Sequence, residues 1–421
     1  MNNLDLFSDD IFNKKNDISN NINFDNIKAI FDKLNEDKNH FVNSNDICTP
    51  MDCVKEMLDT IPQELWERKN LKILDSCCGN GNFHAYAQLK TKLSNLYFNE
   101  INKKRIVNLK NYFGDNINLT IKDFLEFPND EIYDLVVSNP PYAKFTNEGE
   151  RASKNHNLSR DFIKKALTIT KQGGYILFIV PNNWMSFSDR NSLPKELSNY
   201  QFLHLNIHGA KKWFPKVGSS FTWFLLHKVP NKKSFIIENN YIIKDKQTAV
   251  LPKNSNFIPL YYSNIVASIL AKTINNTALE KYKIETSSYL HRFTKQNIIK
   301  NEQNDEYKYK LIHTPTQTVY SSKPHKFQDG YKVFLSLTNQ YEAFIDNCGM
   351  TQSVAFIKCK SLKEAERIKK ELENPLYKFL NNITRYGNFN NIRVLQNFPI
   401  FTIFNLTKEE ESFIEIFNEK Y

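Results

Sequence analysis

Residues 138–145 read SNPPYAKF and follow an apolar run, YDLVV. An amide (Asn139), two prolines (Pro140 and Pro141) and a phenol (Tyr142) stand where a buried strand has to stop, because proline supplies no N–H to a ladder. This set suits work on a weakly nucleophilic amine. The exocyclic amine of a nucleobase has its lone pair delocalised into the ring and must pyramidalise before it can be methylated. Two acceptors aimed at its two hydrogens favour that geometry: the Asn139 side-chain oxygen and the Pro140 carbonyl. Neither is a strong base, so the set fits amine activation better than hydroxyl deprotonation. Proline rigidity fixes where both acceptors point. Tyr142 can stack on a base that has left its duplex, and methyl transfer then needs in-line alignment with the donor. A plain strand-ending turn would use prolines here as well.

A second group lies upstream, in LKILDSCCGNGNF. A strand ends at Asp75, and Gly79 and Gly81 let the following loop approach a ligand before a helix opens. Glu100 closes the next strand-like stretch, about 20 residues on, where a carboxylate can accept from ribose hydroxyls. The third glycine of a dinucleotide fingerprint is replaced by His84, which favours a cofactor without phosphates, such as S-adenosylmethionine. A tight turn with no ligand is the alternative. After a further strand-like stretch, Asp123 could accept from an adenine amine and Phe124 could stack on the purine. A helix cap beside a core phenylalanine would look the same.

These groups need a frame. The pattern from 46 to about 230 alternates strand and helix: LKILD, NLYFNE, YDLVVSN and GYILFIVP as strands, FHAYAQLKT, INKKRIVNLKNYF and SRDFIKKALTIT as helices. Thr49 is expected to cap TPMDCVKEMLDTI, with Pro50 in its first turn, and KQGG to close SRDFIKKALTIT with a glycine C-cap. Alternation of this kind implies a doubly wound, mainly parallel sheet. FLHLNIH and FTWFLLHKV follow without a long helix between them, which predicts an antiparallel edge. Residues 1–45 read as a polar N-terminal arm, 46–234 as the domain carrying both groups, and 235–421 as a second, α+β domain. In the arm, Asn3–Phe7 (NLDLF) is similar to peptides that dock on bacterial sliding clamps.

Lys and Arg number 56 against 46 Asp and Glu, a formal charge of +10, which suits a polyanionic partner. The six cysteines form no C-x-x-C pair, which argues against a zinc module or a disulfide scaffold. No leader pattern opens the chain and no apolar stretch approaches the roughly 20 residues of a membrane span. The chain is expected inside the cell, as a monomer that meets no membrane.

Taken together, these motifs resemble the gamma class of adenine-N6 DNA methyltransferases, the Taq-type modification enzymes, from about Thr49 to Lys228. CTPMDCVKEML is similar to the family's first cofactor motif, with Thr49 at the methionine end. LDSCCGNGNF resembles the glycine motif, with Cys77 where a small residue is usual. The resemblance implies S-adenosylmethionine bound by Thr49, Asp75, Cys77, Gly79, Gly81, Glu100, Ile101, Asp123, Phe124, Asn139 and Pro141. It implies Asn139, Pro140, Pro141 and Tyr142 as the catalytic set on a flipped adenine. WFPKVGSSF points to Phe214 as the second ring of the sandwich, although a core phenylalanine also fits there. The implied fold is an α/β, Rossmann-like, seven-stranded sheet with one antiparallel strand. The C-terminal α+β domain would be the target-recognition domain on double-stranded DNA. No nuclease core is evident, and a separate restriction endonuclease is a conceivable partner. RYGNFNNIRVLQNF (Arg385, Tyr386, Asn388, Asn390, Asn391, Arg393) and HTPTQTVYSSKPHKF are read as loops that either face a groove or are simply solvated. RNA adenine or protein glutamine would be acceptors for the same NPPY site, and a non-catalytic nucleic-acid reader is the non-enzymatic alternative. Cytosine-N4 methylation is a near relative in which serine commonly replaces this asparagine.

Overall fold

The computed structural model describes residues 22–37, 47–142, 158–215, 220–239, 246–338 and 340–420. The NLDLF peptide lies outside them. Two compact units emerge: Met1–Trp184 with Lys195–Asn254, and Met185–Pro194 with Ser255–Tyr421.

The first unit is built on one sheet. Its strands are β1 (Ile73–Asp75), β2 (Leu96–Asn99), β3 (Asn118–Thr120), β4 (Tyr133–Ser138), β5 (Thr170–Pro181), β6 (Tyr200–Ile207), β7 (Phe221–Pro230), β8 (Phe235–Asn239) and β9 (Lys246–Ala249), in the order β3-β2-β1-β4-β5-β7-β6-β8-β9. From β3 to β5 the pairing is parallel, and β7 runs antiparallel to both β5 and β6. Every residue of β4 is buried, as a parallel strand covered on both faces must be. Reversal of strand order on either side of β1 and β4 opens a crevice at their carboxyl ends, where ligands of such sheets bind.

Two more strands than expected complete the sheet. SFIIENNYIIK, read as the start of the second domain, supplies β8, which runs parallel to β6, and β9 pairs antiparallel with β8. Burial of Phe235 and Ile237 on this added edge draws the segment into the first unit. The unit therefore ends at Asn254 rather than 234.

Helix α1 (Phe24–Glu36) occupies part of the stretch read as an arm. Asn23 caps it, and Ile27, Ile30, Phe31 and Leu34 recur at helical spacing on its buried face. The Phe31 ring meets Tyr112 edge-on at 4.8 Å. Helices α2 (Met51–Leu58), α3 (Asn82–Ala87), α4 (Lys103–Phe113) and α5 (Leu158–Ile169) follow. Pro50 takes the N-cap position of α2 without a side-chain bond, so Thr49 is not its cap. KQGG is not a C-cap either, because β5 begins at Thr170, directly after α5, and runs through both glycines. Lys228 is buried in β7 with all three ammonium donors used, on Glu131 Oε1, the Leu167 carbonyl and the Thr170 carbonyl at 2.7–2.8 Å.

The second unit is α+β. Two four-stranded sheets, one holding Lys332–Ser336 and Val354–Lys358, the other Tyr309–Thr314 and Gln317–Ser321, accompany helices α6 (Asn264–Lys272), α7 (Leu362–Leu372), α8 (Pro375–Asn382) and α9 (Lys408–Lys420). The HTPTQTVYSS stretch is a hairpin of this second sheet rather than a loop. In RYGNFNNIR, the polar groups largely hold the unit together. Buried Asn390 donates to the Ser336 carbonyl at 2.8 Å, Asn391 donates to the Phe187 carbonyl at 3.0 Å, and Arg393 pairs with Asp189. Among the described residues, no helix is long and apolar enough to cross a membrane.

His84, at the position of the absent third glycine, is packed inside the first unit. Its Nε2 donates to the Tyr97 carbonyl at 2.8 Å, and its ring meets Phe98 edge-on at 4.4 Å. Burial lowers its pKa from 6.5 to about 4. A histidine with a depressed folded pKa leaves stability intact above its unfolded value and removes it as pH falls from 6.5 towards about 4. Urea denaturation across that window should show a loss of about 3 kcal/mol attributable to this ring, and His84→Gln, which keeps a donor for Tyr97, should flatten the profile.

Candidate active site

The tip of β4 lies beside the tip of β1, with Val137 opposite Asp75 in the register. Behind the tips, Ser76 Oγ donates to Ser138 Oγ at 2.8 Å, and the Cys77 thiol reaches Ser138 Oγ at 3.0 Å and the Asn139 carbonyl at 3.3 Å. Burial pushes the Cys77 thiol well above its usual pKa, so it stays a thiol and a hydrogen-bond donor. These contacts fix the backbone where the strand gives way to the prolines.

Asn139 is half-buried, Pro140 buried and Pro141 exposed. The Asn139 side chain is held on both ends. Its Nδ2 donates to the Ile47 carbonyl at 3.1 Å and to Thr49 Oγ1 at 3.0 Å, while its Oδ1 accepts from the Tyr142 hydroxyl at 2.5 Å. Two acceptors on one side and one donor on the other leave a single amide orientation that satisfies all three. The segment supplying Ile47 and Thr49 is tied down in turn, since Asn82 Nδ2 donates to the Thr49 carbonyl at 2.8 Å. Tyr142 is half-buried, and burial raises its pKa, so it remains a neutral phenol. Its ring lies 5.5 Å from Phe221, which lies 5.0 Å from Phe214. Phe214 and Phe221 are both buried, and Phe221 is the ring that meets Tyr142, with Phe214 on Phe221. That residue opens β7 and carries no signal in the sequence beyond its closeness to the motif.

In front of these tips lies a cleft of about 370 Å³. Of the residues expected to bind a cofactor, Thr49, Asp75, Cys77, Gly79 and Asn139 line it; Gly81, Glu100, Ile101, Asp123, Phe124 and Pro141 do not. Gly81 has another duty. Its φ is +89°, and a Cβ there would come within 2.6 Å of Phe113 and 2.8 Å of Leu109, so it lets the loop close against α4. Glu100 braces the loop: its carboxylate accepts from the N–H groups of Gly79, Ile101 and Asn102 at 2.8–2.9 Å. Burial outweighs these bonds and raises its pKa. Asp123 is exposed and caps a short turn through Leu125 N–H, while Phe124 is buried against Phe127 and Phe162. Next to Asp123, Ile121 is 58% exposed, and Ile101 at the end of the paired strand is 65% exposed. Both isoleucines thus lie exposed just past the ends of two paired strands.

Asn80, Asn82 and Arg105 also line the cleft and were not read from the sequence. Asn99 was missed as well, although it binds the tips of three strands together through the Ser76 and Lys122 carbonyls at 2.9 and 3.1 Å. Its signal is a polar residue ending a buried strand. Among the described residues, no group of three or more His, Cys, Asp or Glu side chains could hold a metal.

Asp75 is the anomaly of the cleft. It is 1% exposed, its Oδ1 accepts only a long 3.4 Å bond from Cys77 N–H, and its Oδ2 has no partner. Burial, with Glu100 nearby, raises its pKa well above the usual carboxylate range. A buried carboxylate with an unmatched oxygen in a cleft is built for a ligand that donates hydrogen bonds or carries positive charge.

The model of the Eco57I restriction-modification methylase family matches residues 3–214. The type II methyltransferase M.AccI of Acinetobacter calcoaceticus is 28% identical over 143 residues, 30% of this chain and 26% of its own. The match thus spans about a quarter of that relative's length. Among solved structures, a nuclease-deletion mutant of the Type ISP restriction-modification enzyme LlaGI, in complex with a DNA substrate mimic, is similar with a TM-score of 0.54 at 12% identity, over 95% of this chain and 48% of that one. The DrdV–DNA complex is similar with a TM-score of 0.53 at 10% identity, over 93% of this chain and 59% of that one. At these identities the likeness is one of fold, and it agrees with the mixed α/β, Rossmann-like methyltransferase sheet described above.

A carboxyl whose folded pKa is raised favours folding fully below its unfolded value and costs stability as pH rises past it. At neutral pH, Asp75→Asn should therefore stabilise the ligand-free chain, by about 1–3 kcal/mol in urea denaturation.

Proposed function

Because the chain belongs to the Eco57I restriction-modification methylase family, we propose that it is a sequence-specific DNA adenine-N6 methyltransferase that uses S-adenosylmethionine and acts on a flipped base. The observation that carries this reading is the clamped Asn139 amide: its nitrogen is committed to Ile47 and Thr49, so its oxygen is left for the acceptor side. The cleft suits the cofactor. Asp75 Oδ2 needs a donor such as an ammonium or a hydroxyl, and Ile101, Ile121 and Asp123 offer an apolar shelf with an acceptor for adenine. When bound, the cofactor supplies a methyl group on a sulfonium.

The chain's own residues then do the rest. Tyr142 stacks on the extruded base, with Phe221 at its back and Phe214 behind that. Asn139 Oδ1 has two lone pairs, so it can accept one amine hydrogen while keeping the Tyr142 hydroxyl. The Pro140 carbonyl accepts the other. With both hydrogens held, the amine is pyramidal and its lone pair faces the cleft, where the bound cofactor would offer its methyl group; the surplus proton of the amine leaves to solvent. The second unit would supply target recognition, and both similar solved structures are bound to DNA or a DNA mimic. An intracellular location follows from such a substrate.

Labelled methyl donor offered to duplex DNA, RNA and protein should mark DNA alone, at adenine N6. Label in RNA or in protein glutamine would replace this reading with one of the other acceptors. Asn139→Ala should lower the turnover number by at least about 100-fold, as loss of a preorganised polar contact does, while DNA binding persists. Full activity in that variant would end the proposed mechanism. Asp75→Asn, despite its gain in stability, should bind S-adenosylhomocysteine at least about tenfold more weakly in calorimetry.

A further inference from the structure

Within the second unit lies another cavity, of about 520 Å³, lined by Tyr261, Gln340, Tyr341, Lys378, Asn382 and Arg385. None of these side chains is acidic, and two are cationic. Lys378 and Asn382 lie four apart on α8, and Arg385 follows three residues later just past the helix, so the three form one stripe.

The cavity's two cations can only donate to an occupant. Lys378 Nζ spends one of three donors on the Asn418 carbonyl at 3.2 Å. Asn382 Oδ1 accepts from Asn381 Nδ2 at 3.1 Å, and its own amino group can donate. Arg385 donates through Nη2 to the Asn388 carbonyl at 3.1 Å, but its Nε is buried without a partner. The occupant must present several acceptors and negative charge, as a phosphate does.

We propose that this pocket holds a backbone phosphate of duplex DNA, gripped by Lys378 and Arg385 with Asn382 as the neutral donor. This inference rests on DNA being the substrate. It makes the pocket a positioning site, which sets where the duplex sits without reading its bases.

The test is fluorescence anisotropy of the full chain with labelled duplexes between about 50 and 200 mM salt. Lys378→Gln and Arg385→Gln should each weaken binding several-fold, equally on duplexes of different sequence, and each should flatten the log–log salt slope by about 1. Lys378→Arg, which keeps the charge, should restore both, and unchanged melting temperatures show that the variants fold. The complementary experiment neutralises the DNA instead: methylphosphonate scanning should find one phosphate whose loss weakens the wild type but not Arg385→Gln. That arm also serves if a glutamine variant melts early, with Arg385→Lys in its place.

Unchanged slopes in folded variants, or weakening on one sequence only, overturn the proposal. So does saturable binding of a deoxynucleoside monophosphate or of inorganic phosphate to the wild type with DNA affinity unaltered in the variants, which would make the pocket a small-anion site. DNA methylation that persists with unchanged salt slopes defeats this inference alone, whereas the absence of any methyl transfer to DNA defeats the reading it rests on.

Discussion

The geometry of this site depends on one hydrogen-bonded clamp. Asn139 caps a strand that is buried along its whole length, and its amide is held by the Ile47 carbonyl and Thr49 Oγ1. A primary amide can turn over and exchange its oxygen for its nitrogen at little intrinsic cost, and doing so here would set that oxygen against the Ile47 carbonyl oxygen. The clamp removes that freedom. It also links the chain segment ahead of α2 to the tip of β4, so the wall of the cleft and the Asn139 amide are set by the same contacts. This is preorganisation in the electrostatic sense: the dipole is oriented before any substrate arrives.

Around the clamp, the strand tips carry a deliberate electrostatic tension. Asp75 and Glu100 are both buried and near one another, and burial raises the pKa of each. They differ in what they do with their oxygens. Glu100 accepts from three backbone N–H groups and so braces the glycine loop, whereas Asp75 keeps one oxygen unmatched. The first arrangement holds the loop, and the second leaves a buried oxygen unsatisfied. A buried unsatisfied carboxylate costs stability that the rest of the sheet must supply, which is a common condition of functional sites.

The second unit shows the same contrast between polar groups that hold and polar groups that wait. Asn390, Asn391 and Arg393 are used inside the unit, binding the RYGNFNNIR segment to its neighbours. Arg385, a few residues earlier, keeps an unmatched N–H at a cavity with no acidic wall. Composition alone makes these residues look alike, since all are polar and lie within one short segment. Burial and bonding separate them.

The sequence by itself determined the parallel core of the first unit, because alternating apolar runs and amphipathic helices, each too short to be buried alone, have few other ways to cover one another. It also placed Asp75, Glu100, Asp123 and NPPY at successive strand ends, since glycine and proline stop strands through local sterics that need no tertiary partner. What it left open was decided by contacts between residues far apart in the chain. Thr49 looked like a helix cap and proved to be a support for Asn139, about 90 residues away. Gly81 was legible as a loop glycine, but the clearance it gives Phe113 and Leu109 was not. Phe214 was the legible aromatic, yet Phe221 is the ring against Tyr142, and two further strands joined a sheet expected to hold seven. Local rules fix where a chain must turn. Which side chains then meet depends on packing across the whole unit, and only the tertiary structure carries that information.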